Sequence, residues 1–280
     1  MLIAQISDPH ITEHKAALPV EPIARLKTVV EHLNNSSTAI DLVVATGDLT
    51  NDGTTGQYEL LLEILEPLSS PVALLPGNHD DHRNLRIVFE ESFPNNLPTE
   101  HMSFVVEEFD LRIVCLDTAD ICRHDGVFDE LRATWLEDTL ATSTKPTMVF
   151  MHHPAMLTGI RWMDLMSLDD HESFTRIIAA HHHVHAVSAG HLHRMVSGRI
   201  AHAAATIAPS TAHQLNLDLH PDHAALVDEP PGYLLHSWNG STVVTHTAVV
   251  GPFEVFEMNE FVDLVLKAAA SPEGMRKLDH

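Results

Sequence analysis

Short apolar runs alternate with longer segments of helical periodicity through the first two thirds of the chain. A run of four to six apolar residues between polar or turn residues is typical of a strand buried in a sheet. Runs of this kind predict the strands Leu2–Ile6, Leu42–Ala45, Val72–Leu75, Arg112–Leu116, Thr147–Met151 and Ala186–Ala189. Apolar residues at helical spacing predict the helices Pro22–Asn34, Gly56–Leu65, Asp81–Phe89, Phe128–Leu140 and Glu172–Ala180. This alternation is typical of an α/β layered fold.

The pattern changes after His193. Antiparallel strands are predicted on either side of a loop-rich stretch, Asp218–Gly232, at Arg194–Ile200, Leu234–Trp238 and Thr242–Val249. A last helix is predicted at Asn259–Ala270, with Phe261, Leu264 and Val265 on one side. Such an amphipathic helix packs on its own domain more often than on a second subunit. We therefore expect a catalytic domain over residues 1–250 and a helix-bearing extension over residues 251–280.

Composition narrows the classes of partner. The 280 residues include 39 Asp and Glu against 16 Lys and Arg, a formal net charge of -23. Such a surface repels nucleic-acid polymers and anionic membranes. Of the two cysteines, Cys115 lies in an apolar run and is predicted to be a buried thiol, whereas Cys122 lies in a polar loop. The low cysteine count, with neither a signal-peptide pattern nor a membrane-span pattern, favours a cytoplasmic protein.

Polar residues with metal-binding side chains follow five of the predicted strands. These residues are Asp8 and His10, then Asp48, then Asn78, His79 and Asp80, then His152, and finally His191 and His193. Ligands of an open α/β sheet collect at the carboxyl ends of its strands, so we expect these five loops to converge. One such motif is weak support for a site, but five in series are strong support.

The residue types at these loops indicate transition-metal chemistry. Carboxylates, imidazoles and an amide, without a thiolate, form a mixed nitrogen and oxygen set suited to Mn, Fe, Zn or Co. Asp8 and His10 are two residues apart, so an extended backbone would place both side chains on one side; the same holds for His191 and His193. Asp48 stands alone and could bridge two metals with its two oxygens.

The series Asp-x-His, Gly-Asp, Gly-Asn-His-Asp, His and Gly-His-x-His resembles the calcineurin-like metallophosphoesterase superfamily, especially its bacterial class III cyclic nucleotide phosphodiesterases and glycerophosphodiesterases. The resemblance extends from Met1 to about His213 and implies a four-layer α/β/β/α sandwich of two central mixed sheets flanked by helices. It implies that one metal binds Asp8, His10, Asp48 and His193. The other would bind Asp48, Asn78, His152 and His191. His79 would contact the substrate phosphate or protonate the leaving group, and Asp80 would orient His79.

Two positions separate this chain from sister groups. Protein Ser/Thr phosphatases of the superfamily carry an arginine where this chain has Asp52. Purple acid phosphatases carry a metal-binding tyrosine, and the DNA-repair nucleases usually a histidine, where this chain has Asn51. The small-molecule phosphodiesterases remain.

The resemblance therefore implies a dinuclear-metal enzyme that hydrolyses cyclic nucleotides or glycerophosphodiesters by in-line attack of a hydroxide bridging the metals. Asn78 and the metals would stabilise the growing charge. A phosphomonoesterase and a non-catalytic scaffold remain as alternatives, although scaffolds of this superfamily usually lack some ligands. A homo-oligomer, dimer or larger, is also implied.

Several further residues have open roles. His213 matches a position near the substrate in the glycerophosphodiesterase relatives, and its functional and structural roles are evenly balanced. His153 would point away from His152 on an extended backbone, so a supporting hydrogen bond is as good an interpretation as substrate contact. The tract His181–His185 is more typical of a helix end or a solvated surface than of a metal site. Segments 157–170 and 214–232 are candidate pocket walls or subunit contacts.

Overall fold

The computed structural model of the protein describes residues 1–13, 20–95, 97–121 and 123–270, so Cys122 and residues 271–280 of the extension lie outside the described part. The strands are β1 Leu2–Ile6, β2 Leu42–Thr46, β3 Val72–Leu75, β4 Phe104–Val106, β5 Arg112–Leu116, β6 Thr147–Met151, β7 Val184–Ala189, β8 Val196–Ile200, β9 Ala203–Ile207, β10 Gln214–Leu215, β11 Leu226–Val227, β12 Gly232–Trp238 and β13 Val243–Val249. The helices are α1 Pro22–Asn34, α2 Thr55–Leu65, α3 His82–Val88, α4 Glu130–Ala141, α5 Arg161–Asp164, α6 His171–Ala180 and α7 Asn259–Ala269, with a 3₁₀ turn at Glu90–Ser92.

Two mixed sheets form the centre of the protein. The first has the strand order β13-β12-β1-β2-β3, and the second has the order β4-β5-β6-β7-β9-β8. Strands β1, β2 and β3 are parallel to one another, as are β5, β6, β7 and β9. Antiparallel partners occur at the outer positions, where β12 pairs with β1 and β13 pairs with β12.

Three apolar cores show that the sheets form four layers with the helices. One core lies between the sheets, because it joins Ile3 and Val44 of the first sheet to Ile113 and Phe150 of the second. A second core packs α1 and α2 on the outer face of the first sheet, and a third packs α4 and α6 on the second sheet. Alternate residues of one strand belong to different cores. Ile3 faces the other sheet, whereas Ala4 faces the helices. The predicted α/β/β/α sandwich is therefore confirmed.

The structure adds short strands that the apolar pattern did not predict. Strand β4 has three residues and β9 has the alanine-rich sequence AAATI, so neither contains a long run of large apolar side chains. The two-residue strands β10 and β11 pair with each other inside or beside the predicted loop-rich stretch. The predicted Ala186–Ala189 strand begins two residues earlier, at Val184. Cys115 is fully buried with a free thiol, as predicted, and burial raises its pKa.

The last helix does not pack as the sequence suggested. None of the residues of α7 is buried, and the preceding segment 252–258 is exposed as well. The expectation that the apolar face of this helix packs on its own domain is therefore wrong. In the described part of the chain, no helix has the length and apolar character needed to cross a membrane.

Candidate metal centre

The carboxyl ends of five strands bring the candidate ligands together. Strands β1, β2 and β3 of the first sheet and β6 and β7 of the second sheet all lead into the loops that carry these side chains. Backbone hydrogen bonds tie the loops together, since Asp8 donates to the carbonyl of Gly47 and His10 donates to that of Asp48. The loop after β7 is tied in as well, because the backbone N–H of Gly190 donates to His152. The predicted convergence of the five loops is thus present in the structure.

One cluster is formed by Asp8, His10, Asp48 and His193, whose ligand atoms lie within 4.8 Å of one another. Nε2 of His193 lies 3.3 Å from Oδ1 of Asp8 and 3.0 Å from Nε2 of His10. The carbonyl of His213 accepts a 3.0 Å hydrogen bond from Nδ1 of His193. That bond fixes the tautomer and leaves the lone pair of Nε2 pointing at the other members of the cluster.

The second cluster surrounds His152. Its Nδ1 donates a 2.7 Å hydrogen bond to the carbonyl of Thr46, so Nε2 is again the free ligand atom. Nε2 of His152 lies 3.2 Å from Oδ1 of Asn78 and 3.4 Å from Oδ1 of Asp48. The ring of His191 lies 5.1 Å from that of His152, and Nε2 of His191 is buried with no hydrogen-bond partner among the described residues.

Asp48 belongs to both clusters. Its Oδ1 faces His152 at 3.4 Å, while its Oδ2 faces Nε2 of His10 at 3.6 Å. The backbone N–H of His79 donates a 2.9 Å hydrogen bond to Oδ1 and helps fix the carboxylate. One carboxylate oxygen thus points to each cluster, the arrangement that a bridging ligand requires.

Left-handed backbone, rather than extended backbone, orients these side chains. Positive φ angles occur at Asp8 (52°), His10 (44°), Asp48 (47°), His191 (70°) and His193 (53°). The expectation that an extended backbone places each pair on one side is therefore wrong, although both pairs do converge. Non-glycine residues adopt this conformation at a cost, and strain of this kind concentrates at functional sites. Of the six non-glycine residues with positive φ in the described ranges, five are candidate ligands.

Burial and neighbouring charges set the protonation of the donor atoms in the metal-free protein. Burial alone would raise the pKa of Asp8, but the charge and hydrogen bond of His193 lower it to about 2. Burial and then the charge of His152 lower the pKa of His191 to about 3, and burial also lowers the pKa of His10. For His152, burial lowers the pKa but the charge of Asp48 outweighs it and raises the value to about 9. Asp8 is therefore ionised at neutral pH, whereas His10 and His191 are neutral with free lone pairs.

His79 and Asp80 are placed differently from the expectation. Nδ1 of His79 donates a 2.9 Å hydrogen bond to the carbonyl of Asn51, not to Asp80. The Asp80 carboxylate instead accepts hydrogen bonds from the backbone N–H groups of Leu49, Thr50 and Gly77. Asp80 therefore fixes the loops that carry Asp48 and Asn78, and does not orient the His79 ring.

Two histidines with open roles occupy different environments. His213 lies beside the first cluster, with its ring 4.5 Å from that of His193, and burial lowers its pKa to about 3. His153 is completely buried beside the second cluster, with a ring nitrogen within 4.8 Å of those of His152 and His191, and its Nδ1 pairs with the hydroxyl of Thr118 at 2.9 Å. Because His153 does not reach the cavity, the structure favours a supporting role for it over substrate contact. The tract His181–His185 connects α6 to β7, and within the described ranges it supplies no member of either cluster.

A cavity of about 260 Å³ opens onto both clusters. His79 and His213 line it, as do Trp162, Met163 and Met166 of one candidate wall segment, and Leu215 and Leu226 of the other. Sequence reasoning missed His124, which also lines the cavity. It lies in the loop after β5 but eight residues beyond Leu116, too far from the strand end for the rule that singled out the other loops.

The donor set fits two metal ions. Two carboxylates, four imidazoles and one amide converge without a Lys or Arg among them, and two ionised carboxylates in a buried site need positive charge nearby. Imidazole nitrogens 3.0 Å apart, as in His10 and His193, are also compatible with a shared cation. The side chains that the sequence predicted as ligands are thus close enough to act together.

Comparisons with known proteins show the family and the fold of the chain. The sequence model described as calcineurin-like phosphoesterase matches residues 1–195. A probable glycerophosphodiester phosphodiesterase from Arcobacter nitrofigilis is 36% identical over 262 residues, which cover 91% of this chain and 95% of the relative. A probable cyclic nucleotide phosphodiesterase from Rhodopseudomonas palustris is 32% identical, with 88% and 91% of the two chains covered. The crystal structure of a dimetal phosphatase from Danio rerio superimposes with a TM-score of 0.66 at 14% identity, covering 89% of this chain and 99% of that one, and so shares the fold.

Proposed function

The chain belongs to the calcineurin-like phosphoesterase family, and we propose that it is a metal-dependent hydrolase of small phosphodiesters, either 3',5'-cyclic nucleotides or glycerophosphodiesters. Relatives named for both substrate classes cover about nine tenths of the chain. The observation that carries the proposal is the division of the Asp48 carboxylate between the two clusters, at 3.4 Å from His152 and 3.6 Å from His10.

The residues have distinct roles in the proposed reaction. Asp8, His10, Asp48 and His193 would hold one ion, and Asp48, Asn78, His152 and His191 the other; Mn, Fe, Zn and Co all suit these donors. Two such ions lower the pKa of a bound water and polarise a phosphoryl oxygen. Asn78 lines the cavity and orients the phosphate through its amide. His79 faces the cavity, and its Nε2 is left for the substrate because the Asn51 carbonyl engages Nδ1; only a ring that carries a proton on both nitrogens would donate one to the leaving oxygen.

The charge of the cavity favours diesters over monoesters. Among the described residues that line it, none is Lys or Arg. A phosphomonoester near neutral pH carries close to two negative charges, whereas a diester carries one. Apart from the two ions themselves, the second charge would meet no cationic side chain in this lining, so a monoesterase activity at this centre is the weaker candidate.

Exposed apolar residues support a homo-oligomer. Phe253, Phe256 and Phe261 are 60%, 76% and 48% exposed, and all lie in the segment from Gly251 to α7. Large exposed apolar side chains so close together in sequence are typical of an interface. The same segment carries Glu254, Glu257, Glu260 and Asp263 against one Lys, so its charge disfavours an anionic membrane. We propose that it packs on a second copy of the chain.

A cytosolic location is consistent with the free thiol of Cys115.

The test of the function compares bis(p-nitrophenyl) phosphate with p-nitrophenyl phosphate, using chelator-stripped protein to which Mn, Fe, Zn and Co are returned singly and in pairs. We expect metal-restored activity with a preference for the diester. Asn78→Ala should lose most of this activity, whereas Asn95→Ala, in an exposed turn, should retain it. A preference for the monoester would place the protein among the phosphatases. Undiminished hydrolysis by Asn78→Ala would refute the assignment of the site.

A further inference from the structure

The outer part of the catalytic cavity is apolar, in contrast to its base. Beyond the two metal-ligand clusters and their neighbours His79 and His213, the polar lining residues among those described are Asn51 and His124. The remaining lining residues are Trp162, Met163, Met166, Leu192, Leu215 and Leu226. A substrate whose phosphate sits at the clusters therefore extends its ester group along an apolar surface.

The first part of this surface is fixed by the loop that carries it. Trp162 and Met166 are four residues apart across α5 and the turn that follows it, the spacing that places two side chains on one face. The carboxylate of Asp164 accepts hydrogen bonds from the backbone N–H groups of Thr158 and Gly159, at 2.7 and 2.9 Å, and closes the loop. Trp162 and Met166 also pack against the apolar core of the second sheet. The wall is therefore present before any substrate binds.

A second part comes from a different segment of the chain. Leu215 on β10 and Leu226 on β11 are direct partners across an antiparallel pair, so their side chains lie on the same face of that ribbon. Leu215 is buried, whereas Leu226 is 47% exposed. Exposed leucine beside a half-buried tryptophan leaves apolar surface available to a ligand.

These walls discriminate between the two substrate classes of the proposed function. The hydroxyl groups of a glycerol ester would lose their hydrogen bonds to water beside tryptophan, methionine and leucine side chains. These side chains offer no replacement hydrogen bond, so binding of the glycerol group costs free energy. A planar heteroaromatic base has apolar, polarisable faces. Such a ring stacks on tryptophan and makes favourable contacts with methionine sulfur. We propose that Trp162 and Met166 form a subsite for a flat aromatic ester group, so that the protein prefers a base-bearing diester to a glycerol diester. This inference rests on the proposed function, because it concerns the same cavity.

The decisive experiment keeps the leaving group constant. Phenyl p-nitrophenyl phosphate and methyl p-nitrophenyl phosphate both release p-nitrophenolate, so the ratio of their kcat/KM values reports on the group that stays in the cavity. We expect the metal-loaded enzyme to prefer the phenyl ester by roughly five- to 150-fold, the range that stacking of a base on an aromatic side chain gives. Equal rates would overturn the inference and leave the phosphodiesterase assignment intact.

Variants connect that preference to the wall. Trp162→Ala should bring the phenyl-to-methyl ratio close to one, and Trp162→Phe should restore most of it. Leu165→Ala is the matched control, because Leu165 lies on the same loop, is 76% exposed and does not line the cavity. A ratio that Trp162→Ala does not change, or that Leu165→Ala changes equally, would contradict the subsite.

Equilibrium binding separates the inference from the proposed function. Hydrolysis-resistant phosphonate analogues of cyclic AMP and of glycerophosphoethanolamine are titrated into Mn-loaded wild type and Trp162→Ala by calorimetry. We expect wild type to bind the cyclic AMP analogue more tightly, and Trp162→Ala to lose that difference. If no ester is hydrolysed with any metal, the phosphodiesterase proposal fails, yet selective binding of cyclic AMP would still support the subsite. Tighter binding of the glycerol diester would overturn it.

Discussion

The hydroxyl group of Tyr58 donates a 2.9 Å hydrogen bond to the carboxylate of Asp80, which in turn accepts from the backbone of Leu49, directly after Asp48. Tyr58 lies on α2 and is completely buried. Its hydroxyl also accepts a 2.9 Å hydrogen bond from the backbone N–H of Asp81. A helix behind the first sheet thereby supports the loops that carry two candidate ligands, Asp48 and Asn78, without touching either.

This relationship predicts that Tyr58→Phe lowers both stability and metal affinity. Removal of the hydroxyl leaves the buried Asp80 carboxylate one donor short and the Asp81 N–H without its acceptor, at a cost of about 1–3 kcal/mol in the free energy of unfolding. Urea denaturation of the metal-free protein measures that cost, and calorimetric Mn(II) titration measures affinity.

Tyr233→Phe is the matched control. Tyr233 is also buried, and its hydroxyl pairs with His32 at 3.1 Å, outside the metal centre. It should lose stability while binding Mn(II) as the wild type does. If the two variants bind Mn(II) equally well, Tyr58 has no influence on the centre beyond stability.

Gly77 leaves space that the centre needs. A Cβ atom at this position would clash with the backbone N and carboxylate Oδ1 of Asp48 and would lie 2.8 Å from Nε2 of His152. We expect Gly77→Ala to weaken metal binding by at least roughly tenfold, in line with the loss of other contacts that orient ligands. Metal content after dialysis, measured by plasma mass spectrometry, checks this.

Gly56→Ala provides the comparison. Gly56 lies in the first turn of α2, and a Cβ there meets only the side-chain end of Glu13, at 3.1 Å. Because alanine favours a helix more than glycine does, this variant should keep its metal and gain slight stability. Full metal content in Gly77→Ala would mean that the ligands tolerate a displaced Asp48.

Sequence patterns were sufficient to predict the layers of the fold and the loops that carry the candidate ligands. The apolar runs that contain Ile3, Val44 and Phe150 are short and buried on both faces, so the strands and the sheet class follow from them. Asp8, Asp48 and His152 each lie within two residues of the end of their strand, so the end of the strand fixes their position in space. The convergence of Asp8, Asp48 and His152 was predictable for that reason.

Other features depended on contacts distant in sequence. The hydrogen bonds between His79 and Asn51 and between Asp80 and Leu49 form where two loops approach each other. Such contacts produce no periodic pattern in the sequence from which they could be predicted. The left-handed backbone at Asp8 and His193 is equally invisible, because aspartate and histidine adopt it only where the surroundings impose it. For α7, amphipathic spacing predicted a buried face but not the molecule that would cover it.

The ion pair between His82 and Asp117 predicts a pH-dependent contribution to stability. Nε2 of His82 lies 2.8 Å from Oδ2 of the fully buried Asp117. Burial would lower the pKa of His82, but the hydrogen bond and charge of Asp117 outweigh it and raise the pKa above 6.5. A raised folded-state pKa gives stability that is fully present below the unfolded value and is lost as pH rises through the folded value.

His82→Gln should therefore lower the free energy of unfolding of the metal-free protein most below pH 6.5. The difference from wild type should shrink as pH rises beyond the raised pKa of His82. Urea midpoints of wild type and variant across this range give the difference directly. His246→Gln, at an exposed position of β13, should show no such trend. A deficit that grows with pH would reverse the sign and exclude the ion pair as its cause.

The exposed C-terminal segment predicts self-association through its apolar side chains. Phe253 and Phe256 lie before α7, where they contact solvent in the isolated chain. Two copies that bury this segment against each other would form an isologous interface, because the same surface is present on both. The double variant Phe253→Ser, Phe256→Ser should shift the protein towards the monomer, as measured by size-exclusion chromatography with light scattering at several concentrations. Ile121→Ser is the control, since Ile121 is 62% exposed but lies elsewhere. A wild type that is monomeric at every concentration would reject the interface. If the double variant associates as strongly as the control, the interface lies on another surface.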